Sequence, residues 1–338
     1  MAWSYRKSIT LSRASGAVTN YQMKLLVGES SGAVGEDVDC AAHCKTDFSD
    51  LRFTASDGTT LLDYWIESIS GATPNQLATI WINFNSIGIG ATTFYLYYGF
   101  SGASAVSNGS DTFEFFDDFE SYSNGNLGGQ GNWADYNGNP QVGVIDSKKM
   151  ALIYDFRKAA ITHINFGSAA GAGRSIIAKA KCVTVGEQIC FGMGSGAGLP
   201  EANEWDVGYN IFYHGMGNTK GAIAEGSGGG AEFITNPAMS ASVADTYYQF
   251  DSRWYGTTFK GFIDGVEVLT GTDASLSTED HLWIGCHNSN WAVDWIAVRK
   301  YEAVEPTWGS WGNEDSGTWN LGISIISATM HHFSMLRG

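Results

Sequence analysis

The chain has 338 residues, of which 43% are hydrophobic and only 16% are charged, and it contains 43 glycines and 5 prolines. The 12 Trp, 15 Tyr and 18 Phe are ample material for a hydrophobic core and exclude a disordered chain. The formal net charge of −16 disfavours nucleic-acid binding, because no basic stripe is segregated along the chain. The same charge favours a cation, and calcium above all, as a partner.

Strand patterns dominate the first third of the chain. Residues 4–11, 21–27, 51–54, 61–69, 78–83 and 92–98 are β-branched or aromatic and largely alternate, which predicts strands. The turn signal at residues 56–59 (SDGT) predicts a tight hairpin. Regular spacing without a helical period predicts a β-sandwich, and a break near Asp111 ends this first domain, residues 1–111.

The next two hundred residues show the same strand pattern in a larger number of segments. The predicted strands cover residues 113–119, 175–185, 188–193, 207–213, 247–254, 258–263, 266–270, 281–286 and 291–299. Asp264-Gly265 is the strongest hairpin signal, because both positions tolerate a positive φ. The pattern predicts a second β-sandwich over residues 112–306.

The last segment, residues 307–338, departs from the pattern. Trp308, Trp311 and Trp319 lie among Gly, Ser and Asn. This C-terminal extension is interpreted either as a strand packed on its own chain or as an assembly arm for self-association, added to the sheet edge of a neighbouring subunit. No apolar run reaches the ~18–20 residues of a membrane span, and no signal peptide is visible before the first strand.

The five cysteines form no CxxC pair, which disfavours a structural zinc site. Cys182 and Cys190 flank a stretch that is symmetric about Gly186, so a hairpin there would bring them face to face for a disulfide. Cys40 and Cys44 are spaced to close a short loop. The alternative for both pairs is free buried thiols in a reducing compartment.

Four motifs in the first domain resemble a domain of unknown function found in archaeal, bacterial and viral surface proteins. They are residues 3–10 (WSYRKSIT), 47–53 (DFSDLRF), 64–67 (YWIE) and 94–99 (FYLYYG), and the resemblance covers roughly the first 110 residues. The second domain resembles a concanavalin-A-like jelly roll of the laminin-G or laminarinase type. Residues 115–120 (FFDDFE) and 293–301 (VDWIAVRKY) carry that resemblance. Fold analogy alone fixes no function.

The jelly-roll resemblance implies a calcium site on the convex side, built by acids near the two end strands. Asp294 shares its parity with Ile296 and Val298, so alternation directs its carboxylate toward the core, where it needs a cation or a partner. Asp118 holds the matching place on the first strand, where it shares its parity with Phe116, and Asp117 is next to it. We therefore expect Asp117, Asp118 and Asp294 to bind Ca²⁺, with pairing of the carboxylate to Arg299 or loop amides as the alternative.

The resemblance also suggests two kinds of catalysis. Laminarinase-like enzymes carry Glu-x-Asp-x-x-Glu on one strand, and Glu204 and Asp206 have that spacing. Tyr209 stands at the place of the third acid, which removes the expected proton donor. Lyase chemistry on this fold needs His, Gln, Arg and Tyr together, and His214 with Tyr213 does not establish it. The prediction is therefore a protein that acts without catalysis.

Aromatic residues beside the predicted concave sheet point to sugar binding, because sugar rings stack on aromatic faces. The predicted glycan-binding residues are Trp205, Tyr209, Tyr213 and Trp254. The alternative for each of them is a place in the hydrophobic core, since a chain this rich in aromatic residues must bury many.

Together these features predict an all-β protein with two β-sandwich domains, the second a concanavalin-A-like jelly roll, plus a C-terminal extension. The predicted function is that of a surface or extracellular assembly protein (a virion, fibre or cell-envelope appendage) whose lectin-like domain binds glycans. A free carbohydrate-binding adhesin, and a glycoside hydrolase or polysaccharide lyase of the laminarinase-like fold, are the alternatives. The predicted location is extracellular, at a cell surface or in a virion.

Overall fold

A computed structural model describes residues 2–137, 139–154, 159–162, 173–184, 189–194, 208–213, 221–226, 231–236, 239–273, 281–286 and 290–321. Within these ranges the chain is almost entirely β-structure, which confirms the predicted all-β fold. The same ranges contain one short α-helix, α1 (Gly109–Thr112), and no helix of a length and apolarity suited to crossing a membrane.

The strands fall into two groups on either side of α1. The strands before it are β1 (Trp3–Arg13), β2 (Tyr21–Gly28), β3 (Val38–Asp39), β4 (Arg52–Thr54), β5 (Leu61–Leu62), β6 (Tyr64–Ser70), β7 (Leu77–Phe84) and β8 (Gly90–Tyr98). The strands after it are β9 (Phe115–Asp117), β10 (Gly125–Asn126), β11 (Trp133–Asn137), β12 (Gln141–Ile145), β13 (Lys148–Ile153), β14 (Ala159–Thr162), β15 (Gly173–Thr184), β16 (Ile189–Gly194), β17 (Gly208–Tyr213), β18 (Gly221–Gly226), β19 (Ala231–Asn236), β20 (Thr246–Tyr255), β21 (Thr258–Ile263), β22 (Val266–Thr272), β23 (His281–Cys286), β24 (Asn290–Tyr301), β25 (Thr307–Trp311) and β26 (Asp315–Trp319).

The first sandwich pairs a six-stranded sheet with a four-stranded sheet. The six-stranded sheet has the order β25-β1-β8-β4-β5, with β26 also paired to β1, and the four-stranded sheet has the order β3-β2-β7-β6. Alternation sends one face of each strand inward, so that Leu11 and Leu96 pack with Leu25 and Ile80 in a common core. The hairpin predicted at residues 56–59 is confirmed, since β4 and β5 pair antiparallel across it.

The second sandwich pairs a nine-stranded sheet with a seven-stranded sheet. Their orders are β10-β12-β13-β24-β15-β20-β21-β22, with β9 also paired to β24, and β11-β14-β23-β16-β17-β18-β19. The inward faces of the two sheets share one core, in which Ile176 and Phe250 meet Phe191 and Ile284. The predicted hairpin at Asp264-Gly265 is confirmed, with φ of 49° and 80° at the two turn residues.

The described part of the C-terminal segment returns to the first sandwich of the same chain. β25 and β26 both pair with β1, with Leu11 opposite Trp308 and Trp3 opposite Trp319. Trp308 packs against the core of the first sandwich and donates its indole N–H to the Lys24 carbonyl at 3.0 Å. For residues 307–321 this corrects the predicted assembly arm. The edge of β1 in the same chain supplies the strand with which β25 and β26 pair. Residues 322–338 lie outside the described residues.

Deletion of residues 307–338 is expected to destabilise the first sandwich, because it uncovers the edge of β1 and the part of the core that Trp308 and Trp311 cover. A loss of at least about 3 kcal/mol in the free energy of unfolding is expected from losing these two indoles. Urea denaturation followed by tryptophan fluorescence measures it. Deletion of residues 322–338 alone is the control, and equal urea midpoints for the two truncated chains would contradict the prediction.

Candidate functional site

The two sandwiches meet through the outer faces of two sheets. In β2, Met23 and Leu25 point into the first core, which leaves Gln22 and Lys24 on the opposite face. In β20, Phe250 points into the second core, so Gln249, Asp251 and Arg253 form the opposite face. These two polar faces lie opposite each other at the junction between the sandwiches.

An aromatic cluster fills one part of this junction. The ring of Trp65 lies with its centroid 4.7 Å from Phe116 and 5.0 Å from Trp295, and the ring of Trp81 lies 5.6 Å from Phe113. Edge-to-face contacts at these distances add stabilisation to the burial of apolar area. The cluster joins β6 and β7 of the first sandwich to β9 and β24 of the second, so the two outer faces are packed together.

Beside the aromatic cluster the two sandwiches leave an open cleft, which we call the junction cleft. Its volume is about 290 Å³, near the lower end of the size range of ligand pockets, which often lie at domain interfaces. Trp81 and Ile177 supply apolar lining. The polar side chains that line it are Gln22, Lys24, Gln249, Asp251, Arg253, Arg299 and Glu305.

Glu305 is the centre of the charge network on one wall of the junction cleft. Its Oε1 accepts hydrogen bonds from Arg299 Nη1 at 2.6 Å and from the Tyr21 hydroxyl at 2.9 Å. Its Oε2 lies 3.7 Å from Arg253 Nη1, and Arg253 also pairs with Asp251 at 2.6 Å. Burial alone would lower the pKa of Arg299, but the carboxylates of Glu305 and Asp251 raise it above its ordinary value.

A second network, centred on Glu67, lies beside the first. Gln249 donates from Nε2 to Glu67 Oε1 at 2.7 Å, and Trp81 donates from Nε1 to Glu67 Oε2 at 2.8 Å. Lys24 Nζ donates to Gln249 Oε1 at 3.3 Å, lies 3.6 Å from Glu67 Oε2, and sits 5.3 Å from the centroid of the Trp81 ring. Polar groups are thus fixed around the junction cleft before any ligand arrives.

Asp117 and Asp118, two of the predicted calcium ligands, lie at the start of the second sandwich. Asp117 accepts three hydrogen bonds, from Phe119 N at 2.8 Å, the Tyr122 hydroxyl at 2.5 Å and Trp133 Nε1 at 2.7 Å. Burial raises the pKa of Asp117. Donors therefore occupy the oxygens that a cation would need, while Asp118 is exposed and accepts from Glu120 N at 3.2 Å.

Asp294, the third predicted calcium ligand, does not join them. A β-bulge between Val293 and Trp295 shifts the register against β15 and breaks the alternation on which the inward orientation depended. The carboxylate instead pairs with Lys148 at 3.1 Å and Lys179 at 3.7 Å. In the part of the chain that the structure describes, no three His, Cys, Asp or Glu side chains converge as a metal site.

Of the predicted glycan-binding residues that can be located, Tyr213 is buried and Trp254 is half-buried. Tyr213 is fully buried and its hydroxyl bonds to the Asp251 carbonyl at 3.1 Å and to Ser252 Oγ at 2.8 Å. Trp254 packs against the core of the second sandwich. Tyr213 is therefore out of reach of a sugar, so its part of the prediction is wrong, while a sugar contact of the half-buried Trp254 stays a prediction. The other predicted sugar-site and catalytic positions fall outside what the structure describes, namely Trp205, the side chain of Tyr209, Glu204, Asp206 and His214.

The predicted hairpin between Cys182 and Cys190 is wrong, because β15 belongs to the nine-stranded sheet and β16 to the seven-stranded sheet. All five cysteines are free thiols, so neither predicted disulfide is present in the structure. The thiols of Cys40 and Cys44 lie within hydrogen-bonding distance of each other. Burial raises the pKa of the thiols of Cys40, Cys182 and Cys190.

Sequence reasoning missed the residues of the junction cleft. A signal was present in β20, where Gln249, Asp251 and Arg253 alternate with inward-facing residues. The partner face on β2 lies more than 200 residues away in the chain, as in the Lys24–Gln249 contact. No local pattern links two such faces.

Comparison with known proteins gives one family and several distant structures. Residues 47–135 match a domain of unknown function (DUF2341), a range that runs from the first sandwich into the start of the second. No curated protein sequence matches the chain significantly.

Three solved structures show the nature of the structural neighbours. The carbohydrate-binding module CBM66 from Bacillus subtilis is 11% identical and is matched over 51% of this chain and 98% of its own, with a TM-score of 0.38. A glycoside hydrolase family 16 endo-glucanase from Bacteroides ovatus is 13% identical over 54% and 99%, with a TM-score of 0.36. The VIP36 exoplasmic/lumenal domain in its Ca²⁺/Man3GlcNAc-bound form is 11% identical over 53% and 87%, with a TM-score of 0.39. At these scores the likenesses carry no argument about the ligand of this chain.

Replacing Glu305 with glutamine is expected to lower the free energy of unfolding by about 1–3 kcal/mol. The reason is that the Arg299 guanidinium, 3% exposed, loses the carboxylate that neutralises it. Chemical denaturation of the full chain measures the change. Glu267→Gln is the control, because it breaks the exposed Lys260–Glu267 pair, which is expected to contribute about 0–1 kcal/mol. Equal losses in the two variants would contradict the prediction.

Thiol titration tests the state of the cysteines. Five thiols are expected to react with a disulfide reagent after unfolding in guanidinium without reductant, because all five cysteines are free. In the native protein, Cys44 is expected to react first, since the other four are buried. A count of three or one thiols in the unfolded chain would show that one or two disulfides exist.

Proposed function

We propose that the protein binds carbohydrate without catalysis and that the junction cleft receives one sugar residue. The observation that carries this proposal is the set of fixed polar side chains around a cleft of about 290 Å³ between two packed sandwiches. Sugar hydroxyls both donate and accept hydrogen bonds. Lys24, Gln249 and Arg253 supply donors, and Asp251 and Glu305 supply acceptors.

The charges of the junction cleft support binding over hydrolysis. A glycosidase needs one carboxylic acid that donates a proton and a second carboxylate that attacks the sugar or activates water. Asp251 pairs with Arg253, and Glu305 pairs with Arg299 and Arg253. Both carboxylates are held by guanidinium groups, and their oxygens are acceptors for sugar hydroxyls.

The remaining parts of the predicted function stay predictions. A surface or assembly role, self-association and an extracellular location would each suit a glycan-binding protein, because polysaccharides are most abundant outside cells. Calcium binding likewise stays a prediction, and the proposed contacts to the sugar are those of protein side chains.

A glycan array probed with the full chain, followed by isothermal titration calorimetry with the best ligand, tests the proposal. Gln249→Ala is expected to weaken binding about tenfold, since it removes a hydrogen-bonding group that lines the cleft and positions Lys24. Gln141→Ala is the control, because Gln141 lies on a strand outside the cleft and, among the described residues, its amide donates to the Asn139 and Pro140 carbonyls. This change is expected to alter the affinity less than twofold. The absence of any bound glycan, or an equal loss in both variants, would refute the proposal.

Chelation is expected to leave this binding unchanged. The predicted calcium ligand Asp294 is neutralised by Lys148 and Lys179, and Asp117 is occupied by three donors. The measurement is the same titration in 5 mM EDTA, which is about a thousandfold excess over trace metal. A loss of affinity that added Ca²⁺ restores would show that a calcium site outside these contacts serves the glycan.

A further inference from the structure

One edge of a buried guanidinium in the junction cleft lacks an acceptor. Arg299 is 3% exposed and lines the cleft. Both of its hydrogen bonds within the described residues come from Nη1, to the Lys300 carbonyl and to Glu305 Oε1. Among the described residues, its Nε has no hydrogen-bond partner. A buried donor without an acceptor is costly, so an acceptor brought by a ligand would be favourable.

The charge of the lining differs from that of the whole chain. The chain has a formal net charge of −16, but the lining of the junction cleft has three cationic side chains, Lys24, Arg253 and Arg299, and only two carboxylates, Asp251 and Glu305. With the Glu67 carboxylate 3.6 Å from Lys24 included, the charges around the cleft balance, so a small anion meets less repulsion there than elsewhere on this acidic protein.

Two of these cations lie around one aromatic ring. Lys24 Nζ is 5.3 Å from the centroid of the Trp81 ring, and Arg299 Cζ is 5.6 Å from the same centroid. The nearest carboxylate to Lys24, that of Glu67, is at 3.6 Å and already accepts from Trp81 and Gln249. Lys24 is thus less tightly paired than Arg253, whose carboxylate partner is at 2.6 Å.

We propose that the junction cleft selects a uronic acid, which is a sugar residue that carries a carboxylate. Arg299 pairs with this carboxylate, and Lys24 lies beside it. The planar fork of a guanidinium matches a carboxylate with two parallel hydrogen bonds. The free Nε edge of Arg299 is where such a pair forms. This inference rests on the proposed function, since it names the class of sugar that the same cleft binds.

The test compares two ligands that share the same sugar rings and differ at the carboxyl group. A uronic-acid oligosaccharide and its methyl ester have the same sugar rings, and the ester lacks the negative charge. Isothermal titration calorimetry with the full chain is expected to give at least tenfold tighter binding for the free acid. Raising the NaCl concentration from 50 to 500 mM is expected to weaken the acid and leave the ester unchanged.

Two variants and a control test which side chains give the preference for the acid over its ester. Arg299→Lys keeps the charge and loses the fork, so the preference for the acid over its ester is expected to fall about tenfold. Because Arg299 also holds Glu305, Lys24→Gln is a second variant that leaves this pair intact, and the preference is expected to fall at least threefold. Lys260→Gln removes an exposed cation that pairs with Glu267 outside the cleft, and no change is expected.

The outcomes separate the two proposals. Equal affinity for acid and ester overturns the uronic-acid assignment and leaves the cleft as a site for neutral sugars. Binding of acetate as tight as that of the uronic acid also overturns it, because the sugar would then contribute nothing. Failure of neutral and acidic oligosaccharides alike refutes the proposed function itself.

Discussion

The ion pair between Arg299 and Glu305 holds together the place where the chain passes from one sandwich to the other. Arg299 lies near the end of β24 and Glu305 just before β25, so the pair spans the connection itself. Tyr21 of the first sandwich and Arg253 of the second bind the same carboxylate. A buried guanidinium requires a carboxylate partner, which fixes the two sandwiches at one separation and thereby sets the width of the junction cleft.

The junction combines an apolar part, which packs the two sandwiches together, with a polar part, which fixes hydrogen-bonding groups. The cluster around Trp65 and Trp81 excludes water and supplies packing. The neighbouring charged side chains keep polar atoms at fixed positions but leave the Nε of Arg299 without an acceptor in the described structure. A protein optimised for stability alone would satisfy that donor, and departures of this kind are most common at functional sites.

The sequence was sufficient for the fold and not for the site. Alternation and turn signals located most strands and two of the three predicted hairpins, because these depend on neighbours along the chain. Alternation separates the two faces of a strand, but it does not identify the inner face when both are covered. Tyr213, which was predicted to contact a sugar, is buried in the core instead. The bulge at Asp294 adds one residue to β24 and reverses the parity on which the calcium prediction depended.

The return of β25 and β26 to β1 has a consequence for the order in which the protein matures. The second sandwich is inserted between two parts of the first, and the edge of β1 stays uncovered until residues 307–319 leave the ribosome. Synthesis from the N-terminus normally lets an early domain fold before a later one. Here the domain whose synthesis begins first is completed last, and its exposed strand edge must be kept from other chains while the inserted domain is made.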